Sequence, residues 1–293
     1  MTDALHHPRP LLPGLPAVEI FPALTPTLPP ATHTNSYALG AREVLLIEPA
    51  TPYEAEREAW LAWAERLRAE GRTLVALVAT HHHDDHVGGA AFLARALGLP
   101  LWAHALTAER IAAPVDRFLH DGETLRLEGP DAQGWQVLHT PGHAPGHVCL
   151  YEPSLGAIVA GDMIAGVGTI LIMPGDGDMR EYLRQLERLG ALGAKVALPA
   201  HGDPIEEPAA RFAAYVAHRL AREAKVVRAL ETGGAAGLPL DQLLPRAYDD
   251  VSPSAWPLAK LSLLAHLEKL VVEGRVSASG PGGGSHFTAA GAP

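Results

Sequence analysis

The run Thr73-Leu-Val-Ala-Leu-Val-Ala79 passes directly into Thr80-His-His-His-Asp-Asp-His86-Val-Gly-Gly89. An apolar run without polar alternation reads as a strand buried on both faces, so the chain must cover that strand with layers on each side. In open α/β sheets functional groups gather just past the carboxyl ends of strands, and the histidine-rich segment sits at such an end. Imidazole nitrogens and carboxylate oxygens are the donors that Zn²⁺ and similar cations accept. His81 and His83 lie two apart, so an extended turn points them the same way. Asp85 and His86 follow where the chain turns into a helix and can aim at a second ion, and Gly88 and Gly89 let that helix begin close beneath them.

The rest of the first two hundred residues alternates strands and helices. Val44–Ile47 reads as a strand, Tyr53–Glu70 as a helix ended by Gly71, Gly89–Leu97 as a helix and Leu101–Ala103 as a strand. Trp135–Leu138, Val148–Tyr151, Ile158–Ala160 and Val196–Leu198 are further strand candidates. Alternation of this kind predicts an α/β layered domain. Three of these strands run into more ligand-type residues: Leu138-His-Thr-Pro-Gly-His143-Ala-Pro-Gly-His147, Ile158-Val-Ala-Gly-Asp162 and Val196-Ala-Leu-Pro-Ala-His201-Gly-Asp203. The Pro-Gly turn holds His143 rigidly, and Asp162 is a carboxylate able to bridge two cations. Gly166–Asp178 reads as a loop that could wall a substrate cleft.

After about Pro208 the pattern changes. Arg211–Glu231, Asp241–Tyr248 and Ser254–Gly274 read as helices. Two extended segments then flank Gly280-Pro-Gly-Gly-Gly284, which predicts a hairpin. Three helices and a hairpin is the element order of a winged helix-turn-helix. The expected division is a loose segment over 1–16, an α/β layered domain over 17–215 and a winged-helix-like domain over 216–293.

The order His-x-His-x-Asp-His, His after Pro-Gly, Asp, His resembles that of metallo-β-lactamase fold hydrolases. The resemblance covers roughly residues 17–215 and implies a four-layer αββα sandwich with two divalent metal ions, zinc foremost, at one edge. It implies His81, His83 and His143 on the first metal, Asp85, His86 and His201 on the second, and Asp162 as the bridge. Thr34-Asn-Ser-Tyr37, Gly161-Asp-Met-Ile-Ala-Gly-Val-Gly-Thr169 and His218-Arg-Leu-Ala-Arg-Glu223 are similar to segments of the β-lactamase-like protein 2 family, which pairs the hydrolase domain with a C-terminal winged helix. Some members of that family are similar to single-strand endoribonucleases. Glu48, in Leu46-Ile-Glu48-Pro49, stands where many relatives have aspartate. Glu48 and His147 are the expected supports behind the ligands.

The implied chemistry is hydrolysis by a hydroxide shared between two metals, with Asp85 orienting it. A single cysteine, Cys149, excludes an internal disulfide and a cysteine-based metal cluster. A net charge of −10 argues against a broadly basic nucleic-acid binder. Arg219, Arg222, Lys225 and Arg228 nevertheless form a stripe with steps of three that could meet phosphates, so a single-stranded RNA phosphodiesterase is the first substrate reading. A hydrolase of a small ester, thioester or lactone is the alternative, and a non-catalytic binding module that kept the fold is the third. The long tail helices could instead pair across a homodimer. No stretch approaches the roughly 18 apolar residues of a membrane span, and a cytoplasmic protein is expected.

Overall fold

The structure, a computed structural model, describes residues 9–10, 15, 17–280 and 286–291. It divides into two compact units. The first comprises the chain up to Pro141, Pro145–Ile170 and Leu192–Ala209; the second comprises Gly142–Ala144, Leu171–Ala191 and the chain from Ala210 onward. Most of the expected loose N-terminal segment lies outside the described residues, although Arg9–Pro10 (β1) pairs with the strand that follows.

The first unit holds two sheets. In the seven-stranded sheet β1 is followed in order by Val18–Leu24 (β2), His33–Leu39 (β3), Glu43–Ile47 (β4), Thr73–Val78 (β5), Leu101–His104 (β6) and Arg117–Leu119 (β7). Pairing is antiparallel up to β4 and parallel from β4 to β7. Helices Glu54–Ala69 (α1), Asp84–Val87 (α2), Ala90–Leu97 (α3) and Ala105–Ala108 (α4) lie on the crossovers. The six-stranded sheet comprises Thr124–Leu127 (β8), Gln133–His139 (β9), Val148–Glu152 (β10), Ala157–Gly161 (β11), Val196–Pro199 (β12) and Ile205–Glu206 (β13), with β11 and β12 parallel.

Strand periodicity assigns the layers. On β4, Leu45 and Ile47 join Trp135, Val137, Leu150, Val159 and Leu198 in the core shared by the two sheets. Their neighbours Val44 and Leu46 turn to the opposite face, against Trp60, Trp63 and Leu67 of α1 and Leu93 of α3. Strand β5 divides the same way, with Ala76 and Val78 inward and Leu74 and Leu77 toward the helices. The unbroken apolar run is therefore the consequence of burial on both faces. Trp60 is fully buried and its indole N–H donates to Ser36 Oγ at 2.9 Å. Truncating such a tryptophan to alanine costs about 3–5 kcal/mol.

The second unit contains Met179–Gly190 (α5), most of Pro208–Glu231 (α6), Leu240–Ala247 (α7), Trp256–Val272 (α8) and the hairpin Val276–Ser279 (β14) with His286–Ala289 (β15). Residues 281–284 of the expected Gly-Pro turn lie outside the described residues. Val226, Leu230, Leu243, Leu263, Leu267, Leu270 and Phe287 form its core. Beside that core sits a set of paired charges. Lys269 donates to Glu223 at 2.5 Å, Arg275 also donates to Glu223, and Arg222 holds Asp250 through both guanidinium nitrogens at 2.7 and 3.1 Å. Among the described residues no helix is long and apolar enough to cross a membrane.

Candidate metal centre

Parallel pairing brings strand ends together. Ile47 pairs with Val78, so Glu48 leaves β4 beside the segment that leaves β5; its amide donates to Val78 O at 2.9 Å. Gly161 pairs with Pro199, so Asp162 and His201 leave β11 and β12 side by side. The histidine-rich segment does not wait for the long crossover helix. Asp85 and His86 stand in the one-turn helix α2, which His83 starts. Gly88 and Gly89 follow, where added Cβ atoms would lie 2.7 Å from Asp84 O and from Thr51 O. That confirms the close approach inferred from the two glycines.

Asp85, His86, Asp162 and His201 form one cluster. His86 Nε2 lies 3.7 Å from both Asp85 Oδ1 and Asp162 Oδ1, and His201 Nε2 lies 3.5 Å from Asp85 Oδ2 and 3.4 Å from Asp162 Oδ1. These separations are long for hydrogen bonds but match the edges, about 3.4 Å, of a tetrahedron of donors around a zinc-sized ion. His86 Nε2 is buried without a hydrogen-bond partner among the described residues, an arrangement that costs free energy unless a cation occupies the gap.

The other ring nitrogens are fixed by acceptors. His86 Nδ1 donates to Glu48 Oε1 at 3.1 Å and His201 Nδ1 to His33 O at 2.9 Å, so each Nε2 keeps its lone pair. Thr80 Oγ1 donates to Glu48 Oε1 at 2.6 Å and therefore accepts from His81 Nδ1 at 3.0 Å. His81 Nε2 then faces His83 Nδ1 at 3.0 Å. One carboxylate, Glu48, thus governs His86 directly and His81 through Thr80. Its backbone φ is +58°, a left-handed conformation uncommon for a residue with a side chain. Glutamate at this position reaches both Thr80 and His86.

Charge accounts for the electrostatics. Burial opposes a charged His86, yet the carboxylates of Asp85, Glu48 and Asp162 hold its pKa well above the usual histidine value. Burial likewise opposes a charged Asp162, yet His201 and His86 hold its carboxyl well below the usual carboxylate range. Without metal the carboxylates draw protons onto the imidazoles; a dication would replace them.

His147 is fully buried. Its Nε2 accepts from the Asp162 amide at 3.1 Å, which makes Nδ1 the donor to Thr140 Oγ1 at 2.8 Å. Gly161, at φ +49°, leaves room for the ring: a Cβ there would stand 2.4 Å from His147 Nε2. His143 follows Gly142 in the short segment that clusters with the second unit, and its Nδ1 donates to Leu171 O at 2.9 Å, which places the ring's lone pair on Nε2. His82 and Asp84, between these residues in the chain, are half-buried and exposed respectively.

Sequence reasoning gave Thr34–Tyr37 no structural task. Asn35 Nδ2 donates to Pro199 O at 3.0 Å and Gly202 O at 2.7 Å, and Tyr37 Oη donates to Pro199 O at 2.7 Å. Alternate residues of one strand therefore clamp the loop carrying His201. Ser36, on the other face, donates to Glu48 O at 2.5 Å. A polar run inside an otherwise buried strand was the signal, since buried polar groups need partners.

Residues 29–201 match the Metallo-beta-lactamase superfamily. The chain belongs to the metallo-beta-lactamase superfamily. Residues 240–283 match the beta-lactamase associated winged helix domain, as the element order of the tail predicts. The chain is 28% identical over 257 residues to a beta-lactamase-like protein 2 homolog of Drosophila melanogaster, covering 84% of this chain and 85% of that one. It is 32% identical over 202 residues to an atrochrysone carboxyl ACP thioesterase of Aspergillus chevalieri, covering 67% of this chain and 60% of that one. A crystal structure of a metallo-beta-lactamase family protein from Thermus thermophilus superposes with a TM-score of 0.72 at 27% identity, covering 94% of this chain and 99% of that one. As a metallo-beta-lactamase superfamily protein with histidine and aspartate clusters able to hold metal, the chain is a metal-dependent hydrolase.

The basic stripe departs from expectation. Arg219 and Arg222 are only 4% and 8% exposed. Arg222 is held by Asp250 and donates to Ala247 O at 2.6 Å, while Lys225 pairs with Asp249 at 2.9 Å. Spacing placed the four on neighbouring positions of one helix but could not show that the helix turns Arg219 and Arg222 toward its own unit while Arg228 stays exposed.

Proposed function

We propose that the chain is a two-metal hydrolase of acyl thioesters and related small esters. His81, His83 and His143 hold one ion; Asp85, His86 and His201 hold the other; Asp162 bridges them. Zinc is the proposed metal. The observation that carries this reading is the cluster of Asp85, His86, Asp162 and His201, whose 3.4–3.7 Å separations frame a cation-sized gap.

When bound, the two cations would supply Lewis acidity to the acyl carbonyl and an acidified water. The chain's own residues do the rest. Asp85 is 16% exposed at its side chain, accessible enough to orient the attacking water and receive its proton. Water adds to the carbonyl carbon, the carbon–sulfur bond breaks, and a proton reaches the departing thiolate to give a carboxylic acid and a thiol. Glu48 and His147 hold the ligands in one tautomer and position throughout.

The thioester choice rests on two supports: the inward turn of Arg219 and Arg222, which removes half of the phosphate-facing stripe, and the likeness to an acyl-carrier thioesterase. RNA phosphodiester hydrolysis is the second reading, favoured by the likeness to the beta-lactamase-like protein 2 homolog and by the winged-helix match. The test is a panel of acyl thioesters, esters, lactones and end-labelled single-stranded RNA, offered to protein of measured metal content beside Asp85→Ala. Turnover of thioesters by wild type alone supports the proposal. Metal-dependent cutting of RNA with inert thioesters replaces it with the second reading.

A further inference from the structure

Within the first unit, one stretch of chain addresses both ring nitrogens of His201. This is the connection 25–32 between β2 and β3, together with the first residue of β3. His201 Nδ1 donates to His33 O at 2.9 Å. On the other side of the ring, Thr27 Oγ1 stands 3.5 Å from Nε2. Among the described residues the Thr27 hydroxyl has no other hydrogen-bond partner. A strong hydroxyl hydrogen bond is about 2.8 Å long, so this contact is loose.

The connection is built to hold that hydroxyl still. Pro26, Pro29 and Pro30 restrict its backbone. The Thr25 amide donates to Thr32 O at 3.3 Å, and the Thr25 and Thr34 hydroxyls meet at 2.8 Å. Thr27 is half-buried between the exposed Pro26 and Leu28.

Three oxygens surround His201 Nε2 at nearly one distance: Thr27 Oγ1 at 3.5 Å, Asp85 Oδ2 at 3.5 Å and Asp162 Oδ1 at 3.4 Å. The two carboxylates are ordinary metal donors. A neutral threonine hydroxyl is not, since zinc takes imidazole, thiolate and carboxylate from proteins. Because Nδ1 donates to His33 O, Nε2 carries the lone pair, and in the metal-loaded chain that lone pair belongs to the cation. Thr27 then keeps a donor hydrogen at the edge of the coordination shell and has no acceptor on His201. The acceptor it lacks is an oxygen that arrives with the substrate.

We propose that Thr27 is a catalytic residue whose hydroxyl donates a hydrogen bond to the acyl oxygen as water adds to the carbonyl. The proposal rests on the metal-hydrolase reading of His201 and takes its substrate from the thioester reading. No proton changes hands in this step. Attack at the carbonyl carbon moves the C=O π electrons onto oxygen, and the hydrogen bond tightens on that charge. It relaxes when the carbon–sulfur bond breaks and C=O re-forms. A donor that strengthens only as charge develops lowers the barrier more than it tightens substrate binding.

The test uses the zinc-loaded full chain with Thr27→Val, which keeps the shape and removes the donor, and Thr27→Ser, which restores it. Thr27→Val is expected to lower kcat for an acyl thioester at least about tenfold with KM little changed, and Thr27→Ser to regain most of it. For the matching dithioester, whose C=S sulfur is a weak acceptor, Thr27→Val is expected to lose less than about twofold. Calorimetric binding of acetate, a carboxylate like the product, should weaken about tenfold in Thr27→Val and hold in Thr27→Ser. Zinc stoichiometry and affinity in chelator competition should match wild type in both. Equal losses on thioester and dithioester, or undiminished acetate binding by Thr27→Val, overturn the proposal and leave Thr27 a support. Loss of a zinc equivalent in Thr27→Val also overturns it and makes the hydroxyl a metal ligand. If wild type hydrolyses no thioester while acetate binding still depends on the hydroxyl, the thioester reading fails and the oxyanion contact stands.

Discussion

Both units bury charge, and they neutralise it differently. In the second unit Glu223 meets Lys269 and Arg275, and Arg222 meets Asp250, so these buried charges have their opposites in the chain. At the strand ends of the first unit Glu48, Asp85 and Asp162 gather around the imidazoles of His86 and His201, and His86 leaves a buried nitrogen unbonded among the described residues. A self-neutralised cluster needs nothing more and serves stability. A cluster short of positive charge is completed by an ion from outside, and chemistry follows from that ion.

The largest effect should come from the unbalanced cluster. Asp85→Ala is expected to abolish nearly all turnover while preserving the fold, and Asp162→Ala to lose bound metal first; metal analysis beside circular dichroism checks both. The self-neutralised cluster should respond in the opposite way. Lys269→Ala is expected to lower unfolding stability by about 3 kcal/mol, because it strips a buried glutamate of one partner, with turnover per folded molecule unchanged. Equal loss of activity and stability in either variant would dissolve the contrast.

Glu48→Gln sharpens it at smaller scale. The amide no longer fixes the tautomers of His81 and His86, and metal affinity should fall about 10- to 100-fold in chelator competition. The pH response is smaller still. Without metal, the raised pKa of His86 contributes stability fully present below its ordinary value of 6.5, lost as pH rises through the raised folded value. Asp162 contributes stability present above the usual carboxylate range, lost as pH falls through its depressed folded value. The melting temperature of chelated protein should therefore fall on going from pH 7 into the alkaline range. Metal-loaded protein should show no such fall, because its ligands stay deprotonated.

Sequence legibility followed the same division. The apolar run of β5, the helices α1, α6 and α8 and the ligand-type residues at strand ends could be read because each has a local signature of periodicity or residue type. The β2–β3 pair was not, since Thr34–Tyr37 is polar and owes its burial to partners far along the chain, Glu48 and Pro199. Helix α5 went unread beside the Gly- and Asp-rich loop, although Asp178 caps it by accepting from the Glu181 amide at 2.9 Å. Glu48 and His147 were expected as supports, and the direction of their hydrogen bonds was not legible. That Thr80 relays Glu48 to His81, and that His147 holds the Asp162 amide, depends on which nitrogen faces which acceptor. The basic stripe misled at Arg219 and Arg222, because charge spacing along a helix does not say which way the helix faces.

The most direct measurement titrates chelated protein with Zn²⁺ in a calorimeter while thioester hydrolysis is followed in parallel. The account predicts two equivalents bound per chain, activity rising with occupancy, and loss of one equivalent in Asp162→Ala. Full hydrolysis by chelated protein, or tight zinc binding unchanged by Asp162→Ala, would contradict it.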